Sequence, residues 1–343
     1  MKSLYESLLD GFDKIEKAQK VSVKDEIYYF LRMNYLRSTN FKVSRKPNEN
    51  GIYEVTYNNK APIVLKNKKA TSVTNGMFKF VGETPGFEAD MCRELESLEG
   101  LPEAMLGDFK LWGCEKLKSL KGAPKKINGE FRCNCDSLES LEGMPQEGVT
   151  SLTLYNCRKL KSLKGCTNTV YKLFISGCDQ LDSLKDGPQN VETSYTIKSC
   201  GNLTSLEGSP KEISGDYEAS WLPKLTSLKG ITQKAGKEGR YSFSGITINN
   251  TGIKNLEGLP KTCLSLKILA CHELTSFKGC PQTVFGHLTI KECPKVEDFD
   301  NLPPRVHGAL SIYMVGQEII DANYIKSISE ADEYYINGEA KWR

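Results

Sequence analysis

Hydrophobic positions recur at a fixed interval along most of the chain. The hexad Leu-x-Ser-Leu-x-Gly occupies residues 95–100 and returns, in strict or degenerate form, nine more times. The ten copies begin at Leu95, Leu117, Leu138, Leu160, Leu181, Leu203, Leu225, Ile253, Leu274 and Val296. They are evenly spaced, except for one longer step between Leu225 and Ile253. A unit of roughly 21–22 residues cannot bury its own apolar face, so the pattern predicts stacked units that share one core.

Each hexad follows a short alternation of apolar and polar residues. Leu152-x-Leu154 is an example, and it leads through two polar positions to Cys157 and then to the hexad. Alternation with a period of two predicts a strand that turns every second side chain inward. The Gly that ends the hexad, and the Pro that usually follows two residues later, turn the chain back without room for a long helix. We therefore expect parallel strands on one face and extended or 3-10 backbone on the other.

The two ends of the chain depart from the repeat. Residues 4–20 and 22–36 have helical periodicity, and Ser22 with Asp25 forms a capping-box pattern. Residues 41–43 and 52–57 read as strands around a turn at 47–51. We predict an α+β N-terminal capping domain at 1–69, about 10–11 repeats at 70–315, and a C-terminal cap at 316–343. The alternative for the N-terminal region is a separate partner-binding role.

The C-terminal cap has its own predicted elements. Residues 321–334 are expected to form a helix, and residues 335–342 a closing strand.

The repeat unit resembles the leucine-rich repeat in a short form of roughly 21–22 residues. The resemblance is carried by the Leu-x-Leu-x-x-Cys-x-x-Leu run before and into each hexad, and it covers most of the chain, from about position 70 to about position 314. Similar short repeats occur in bacterial secreted effectors and in some bacteriophage proteins. The resemblance implies a leucine-rich-repeat solenoid whose parallel strands line a concave face, with an extended or 3-10 convex face.

The first ten residues, Met-Lys-Ser-Leu-Tyr-Glu-Ser-Leu-Leu-Asp, resemble the start of repeat proteins from the crAss-like phages of gut Bacteroides. That resemblance implies a phage-encoded protein whose partner is a host protein, including one of host defence. It also implies action in the host-cell cytoplasm.

Composition narrows the classes of partner. The chain has 343 residues, with 46 Lys and Arg against 43 Asp and Glu, for a net charge of +3. A nucleic-acid binder usually has a strongly basic face, so nucleic acid is not an expected partner.

No apolar run approaches the ~20 residues that span a bilayer. The N-terminus also lacks the apolar segment of a secretory signal, so we expect a cytoplasmic protein with reduced thiols.

The charges of the hexads alternate in sign from copy to copy. Glu96 and Glu99 are followed by Lys118 and Lys121, and the same exchange recurs in the next two copies. Residues at equivalent positions of stacked strands lie side by side, where opposite charges attract. We interpret this alternation as structural.

The 12 cysteines follow the repeat as well. Eight of them stand three residues before a hexad: Cys92, Cys114, Cys135, Cys157, Cys178, Cys200, Cys271 and Cys293. We predict that they form a buried column, with Cys135 the least secure because its repeat is one residue shorter and Asp136 could replace it. No Cys-x-x-Cys pair exists, so neither a metal site nor a cofactor is expected.

No catalytic signature accompanies these thiols. Only three histidines are present, and no glycine-rich phosphate loop or nucleophile motif occurs. Some effectors with similar repeats carry a C-terminal ubiquitin-ligase domain with a catalytic cysteine. Here only positions 316–343 follow the repeats and none of them is cysteine, so that activity is not carried over. We therefore do not expect an enzyme.

The outward positions of the strands are the predicted binding surface, because partners of such repeats commonly dock on the strand side. The candidates are Lys110, Trp112, Arg132, Asn134, Tyr155, Phe174 and Lys198. Aromatic residues and Arg are enriched in interfaces. The alternative is that the aromatic rings only cover neighbouring strands.

A second candidate is the insertion behind the longer step, with the basic residues Lys234, Lys237 and Arg240, for which a solvated loop is the alternative. For the whole chain we expect a non-catalytic protein-binding module. The alternatives are a structural virion or assembly component and an effector-like enzyme.

Overall fold

The repeats form a parallel β-solenoid of about 12 turns with few helices. This computed structural model describes residues 21–236, 245–316, 320–336 and 339–341. The prediction of a solenoid built from the repeats is confirmed. The expected helix at 4–20 lies outside the described residues.

The helices and strands have the following bounds. The helices are α1 (Val23–Asn34), a 3-10 helix (Ser38–Asn40) and α2 (Ala322–Ile328). The strands are β1 (Phe41–Val43), β2 (Tyr53–Tyr57), β3 (Ile63–Leu65), β4 (Phe78–Phe80), β5 (Phe87–Asp90), β6 (Phe109–Trp112), β7 (Lys126–Asn134), β8 (Glu147–Tyr155), β9 (Thr169–Ser176), β10 (Asn190–Lys198), β11 (Glu212–Ile213), β12 (Asp216–Leu222), β13 (Lys234–Ala235), β14 (Ile246–Thr251), β15 (Thr262–Cys263), β16 (Leu266–Leu269), β17 (Thr283–Val284), β18 (Leu288–Cys293), β19 (Arg305–Val315), β20 (Glu330–Ile336) and β21 (Glu339–Lys341).

One strand from each turn joins a continuous parallel ladder. It runs through β3, β5 to β10, β12, β14, β16, β18, β19 and β20. A second, shorter parallel ladder is formed by two-residue strands such as β15 and β17 and by the first residues of longer strands such as β19. Equivalent residues of successive turns are therefore direct neighbours.

The core is a set of columns, one residue per turn. The first inward position of the main ladder holds stacked aromatic rings, with Phe87, Phe109 and Phe131 at centroid separations of 5.6 and 5.7 Å. Further along, Tyr195 and Tyr217 stack at 5.3 Å. The leucines of the hexads are fully buried beside these rings. A single contiguous core thus extends from Ile27 of α1 to β20.

Most turns have one residue in the left-handed conformation, either directly after the main strand or as its second-last residue. These residues are Met91, Gly113, Asn156, Gly177, Ser199, Trp221, Asn250, Ala270, Glu292 and Met314. Such a residue interrupts the alternation of the strand, so that the next residue, usually cysteine, points inward again. Asn134 leads directly into Cys135 without this extra residue, in the turn that the sequence shows to be one residue shorter.

The N-terminal elements pack on the first turns. Ser22 caps α1 as predicted, since its Oγ accepts from the Asp25 backbone N–H and donates to the Asp25 carboxylate. Tyr35 forms an antiparallel bridge with Leu65 of β3, and its hydroxyl donates to the carbonyl of Val73 at 2.5 Å. Asn34, the last residue of α1, also accepts from the backbone N–H of Lys66, directly after β3, so the end of α1 and Tyr35 lie against the first strand of the ladder.

The C-terminal prediction was partly wrong. The predicted helix at 321–334 ends at Ile328, and the chain continues as β20, which pairs in parallel with β19. In β20, Ala331, Tyr334 and Ile336 are buried, so the strand adds one more layer to the core. Burial against β19 outweighs the helical pattern that the sequence shows there. Strand β21 then pairs antiparallel with β20.

Ion pairs join turns at the second charged position of the hexads. Glu142 and Lys164 approach to 2.7 Å, Glu207 and Lys229 to 2.7 Å, and Glu257 and Lys278 to 2.9 Å. Within the described residues, Glu96 and Lys118, at the first charged position, form no ion pair. Most of these side chains are well exposed, so water and salt screen the pairs and each adds little to stability.

No helix in the described ranges has the length and apolar character needed to cross a membrane.

The glycine that ends each hexad provides a test of the stacking. Gly143 has φ +91°, and a Cβ there would lie 2.6 Å from the Leu120 carbonyl in the neighbouring turn. Gly51 also has a positive φ, +76°, but a Cβ there would meet nothing within 4 Å. We expect Gly51→Ala to cost about 1 kcal/mol of unfolding free energy and Gly143→Ala about 1–3 kcal/mol more. Urea unfolding followed by circular dichroism measures both, and equal losses would contradict the close packing of the turns.

Candidate functional site

The predicted surface residues lie on the outward side of the main ladder. We call the solvent-facing side chains of β5 to β10 the ladder face. The register places Lys110 beside Arg132 and Trp112 beside Asn134. Tyr155 lies beside Ser176. The predicted outward direction of these side chains is confirmed, since each is exposed or half-buried whereas its neighbours in the strand are buried.

Four of the predicted residues share one groove of about 320 Å³. We call it the aromatic groove, and its lining residues are Trp112, Glu130, Arg132, Ser151, Thr153, Tyr155, Lys172 and Phe174. Glu130, Ser151 and Lys172 were not among the sequence candidates. They occupy a third outward position, directly before the inward residues Phe131, Leu152 and Leu173. The register pairs Ser151 with both Glu130 and Lys172. Sequence reasoning missed these three residues because β7 to β10 begin several residues before the Leu-x-Leu pattern from which the strands were predicted.

Two aromatic rings face each other across the groove. The rings of Trp112 and Tyr155 are nearly parallel, at 12°, with centroids 6.3 Å apart. Their strands are two turns apart, which is roughly 9–10 Å, so the rings lean toward each other over the turn of Asn134. Each ring nevertheless remains almost 40% exposed, at 39% and 38%. The rings therefore cover part of the ladder and still present apolar surface to solvent.

The Glu130 carboxylate accepts hydrogen bonds from two neighbouring side chains at the floor of the groove. The guanidinium of Arg132 donates to Glu130 Oε1 from Nη2 at 3.0 Å and from Nε at 3.2 Å. The Thr153 hydroxyl donates to the same oxygen at 3.1 Å from the next turn. The Glu130 side chain is only 20% exposed. Arg132 is thus held in one orientation by its own strand and the next turn.

Lys110 and Lys198 lie outside the groove and are paired. Lys110 Nζ is 2.7 Å from Asp108, and Lys198 Nζ is 2.9 Å from Glu218. Burial alone would raise the pKa of Asp108, but hydrogen bonds from Lys110 and from the Glu130 backbone lower it overall. The charges of Lys110 and Lys198 are therefore largely neutralised by these carboxylates.

The basic insertion is described only in part. Lys234 is exposed in β13, which pairs with β11. Lys237 and Arg240 lie outside the described residues. That the insertion is a binding site therefore stays a prediction.

The eight predicted cysteines form a buried column, which we call the cysteine column. All are fully buried, and Cys135 occupies its place whereas Asp136 lies at the surface, half-buried. The thiols donate to backbone carbonyls, as in Cys200 to Lys198 and Cys293 to Lys291, both at 3.3 Å. A small polarizable side chain thereby fills the inside of each turn and satisfies a carbonyl.

Burial makes the thiols of Cys92, Cys166 and Cys263 poor nucleophiles. Desolvation, reinforced by the charge of Asp90, raises the pKa of Cys92 to about 12. Desolvation also raises the pKa of Cys166 and of Cys263 to about 12. Cys166 and Cys280 are partly buried against the core. Thiols in such surroundings stay protonated at neutral pH.

In the part of the chain that the structure describes, no group of three or more His, Cys, Asp or Glu is arranged to hold a metal ion. The cysteine column is a row along the solenoid rather than a tetrahedral cluster.

Comparison of the chain with protein-family models, curated proteins and solved structures finds no match. Function is therefore inferred from the ladder face and the aromatic groove.

The raised pKa of the Cys92 thiol predicts that this group lowers the stability of the fold at alkaline pH. In the unfolded chain the Cys92 thiol loses its proton near pH 9, whereas in the folded protein it keeps the proton up to about pH 12. Between these values the folded state binds more protons, so its stability falls as the pH rises. We expect a smaller fall between pH 8 and pH 10.5 in Cys92→Ala than in the parent protein, measured by urea unfolding with a reductant present. Equal falls in the two proteins would show that Cys92 does not contribute.

Proposed function

We propose that this protein is a non-catalytic protein-binding module that docks its partner on the ladder face, with the aromatic groove at the centre. The observation that supports it is the convergence of Trp112, Tyr155 and Arg132 on one solvent-open groove. Trp, Tyr and Arg are the side chains that most often dominate the binding energy of protein interfaces. Rings that stay almost 40% exposed have apolar surface left to bury on a partner.

The rigidity of the surface supports the same function. The ladder is hydrogen-bonded from turn to turn, and Arg132 is already held by Glu130. Because little freedom remains to be lost, binding would cost less ordering entropy than docking on a loop.

We further propose that the solenoid is of the leucine-rich-repeat type, with the ladder face as its concave side. The even spacing of the hexads, their buried leucines and the cysteine column support that assignment. The packing of α1 and Tyr35 on the first strand supports a capping role for residues 1–69. An open end would otherwise expose core side chains to water. Residues 316–343 would close the other end.

The resemblance to phage repeat proteins favours a host protein as the partner, including one of host defence, and the host-cell cytoplasm as the site of action. The near-neutral charge of +3 favours protein over nucleic acid.

Replacing one tryptophan tests the binding site. We expect Trp112→Ala to weaken binding of the partner roughly thirtyfold, in line with the loss of about 2 kcal/mol typical of an interface hot spot. The partner is obtained by affinity capture from host lysate, identified by mass spectrometry and titrated in purified form. Trp221→Ala is the matched control, because Trp221 is 57% exposed and does not line the groove.

Unchanged melting temperatures for both variants exclude misfolding as the cause. Equal affinities of Trp112→Ala and Trp221→Ala would overturn the groove as the binding site. Recovery of the protein from purified virions, together with no captured host partner, would instead favour the structural role.

A further inference from the structure

Around the aromatic groove, some charged side chains of the ladder face are paired with an opposite charge and others are not. Lys110, Arg132 and Lys198 are each neutralised by a neighbouring carboxylate. Within the described residues, the side chains of Glu88, Asp90 and Lys172 form no ion pair or hydrogen bond. The two carboxylates lie on β5, one turn beyond Trp112 and next to the groove, and the ammonium lies on β9, within the groove lining.

The separation of these charges can be read from the ladder. From β5 to β9 there are four turns, through β6, β7 and β8. At about 4.8 Å per turn, β5 and β9 are roughly 19 Å apart along the ladder. Lys172 also lies two residues closer to the N-terminal end of its strand than the register position of Glu88, so Glu88 and Lys172 are roughly 20 Å apart. An extended peptide advances about 3.3 Å per residue, so about six residues span that distance.

The middle of the span is apolar. Asp90 is the register neighbour of Trp112, and the rings of Trp112 and Tyr155 lean together over the turn of Asn134. Exposed ring faces of this kind bury an apolar side chain favourably. The order along the ladder is therefore anionic, aromatic and cationic.

Building on the proposed function, we propose that the aromatic groove binds an extended peptide segment of about six residues with opposite charges at its two ends. A basic side chain of the segment lies over Glu88 and Asp90. A central apolar side chain packs against Trp112 and Tyr155, and an acidic side chain meets Lys172.

Charge complementarity selects this occupant over a nucleic acid. A phosphate backbone across the groove would meet the carboxylates of Glu88 and Asp90, and the guanidinium of Arg132 is already bound to Glu130. Only Lys172 would be left to neutralise phosphate, whereas affinity for nucleic acid depends on many such contacts.

Fluorescence anisotropy with defined peptides tests this inference on the full-length protein. The probe is a labelled hexapeptide with lysine at position one, phenylalanine at position three, glutamate at position six and serine elsewhere. We expect replacement of the phenylalanine by serine to reduce affinity at least tenfold, since it removes the apolar contact. Replacement of either charged residue by one of the opposite sign should reduce affinity about two- to fivefold, as is typical of an exposed ion pair.

A charge swap identifies which end lies at Lys172. We expect Lys172→Glu to weaken the probe about two- to fivefold and to strengthen, by a similar factor, a probe with lysine at both ends. Lys267→Glu is the matched control, because Lys267 is also exposed and unpaired among the described residues but does not line the groove. The difference between the two variants should shrink in 0.5 M NaCl, because salt screens exposed charges.

The outcomes separate the two proposals. If a captured partner depends on Trp112 but no peptide binds, the extended-peptide inference is overturned and the protein-binding function stands. If neither the partner nor any probe responds to Trp112→Ala, both are overturned. Competition by a single-stranded oligonucleotide, or a change from dimer to monomer on Lys172→Glu in light scattering, would assign the groove to nucleic acid or to a second copy of the chain and overturn the peptide.

Discussion

Each turn of this solenoid depends on burial of its apolar side chains against the next turn. A unit of about 22 residues has too few side chains to enclose its own leucines, so no turn has an independent core. The hexad leucines, the stacked rings from Phe87 to Phe131 and the cysteine column are all buried in this way. Stability is consequently distributed along the chain, and a substitution that weakens the packing of one turn also destabilises the neighbouring turns.

The same stacking explains the organisation of the surface. Since equivalent residues of successive turns are direct neighbours, any outward position becomes a column along the solenoid. Where a column carries opposite charges, as in Glu142 and Lys164, the turns neutralise each other. Where it carries aromatic residues, as in Trp112 and Tyr155, a patch forms that no single turn could make. The aromatic groove is a product of repetition with local variation.

Sequence reasoning succeeded where the period determines the environment and failed where three-dimensional neighbours do. The inward leucines, the cysteine column and the outward direction of Trp112 and Arg132 all follow from alternation and spacing. Glu130 and Lys172 were missed because strands β7 and β9 extend beyond the Leu-x-Leu pattern. The C-terminal helix was predicted too long because pairing of β20 with β19 overrides local helical preference.

By itself, the sequence determined that the chain is a solenoid with one shared core, because so short a repeat allows no other way to bury the hexads. Only the tertiary structure decided which outward residues act together. Whether Trp112 meets Tyr155, or Arg132 is held by Glu130 and Thr153, depends on side-chain directions across separate turns of the solenoid. Those directions are set by packing between neighbours in space, which the spacing of residues along the chain does not specify.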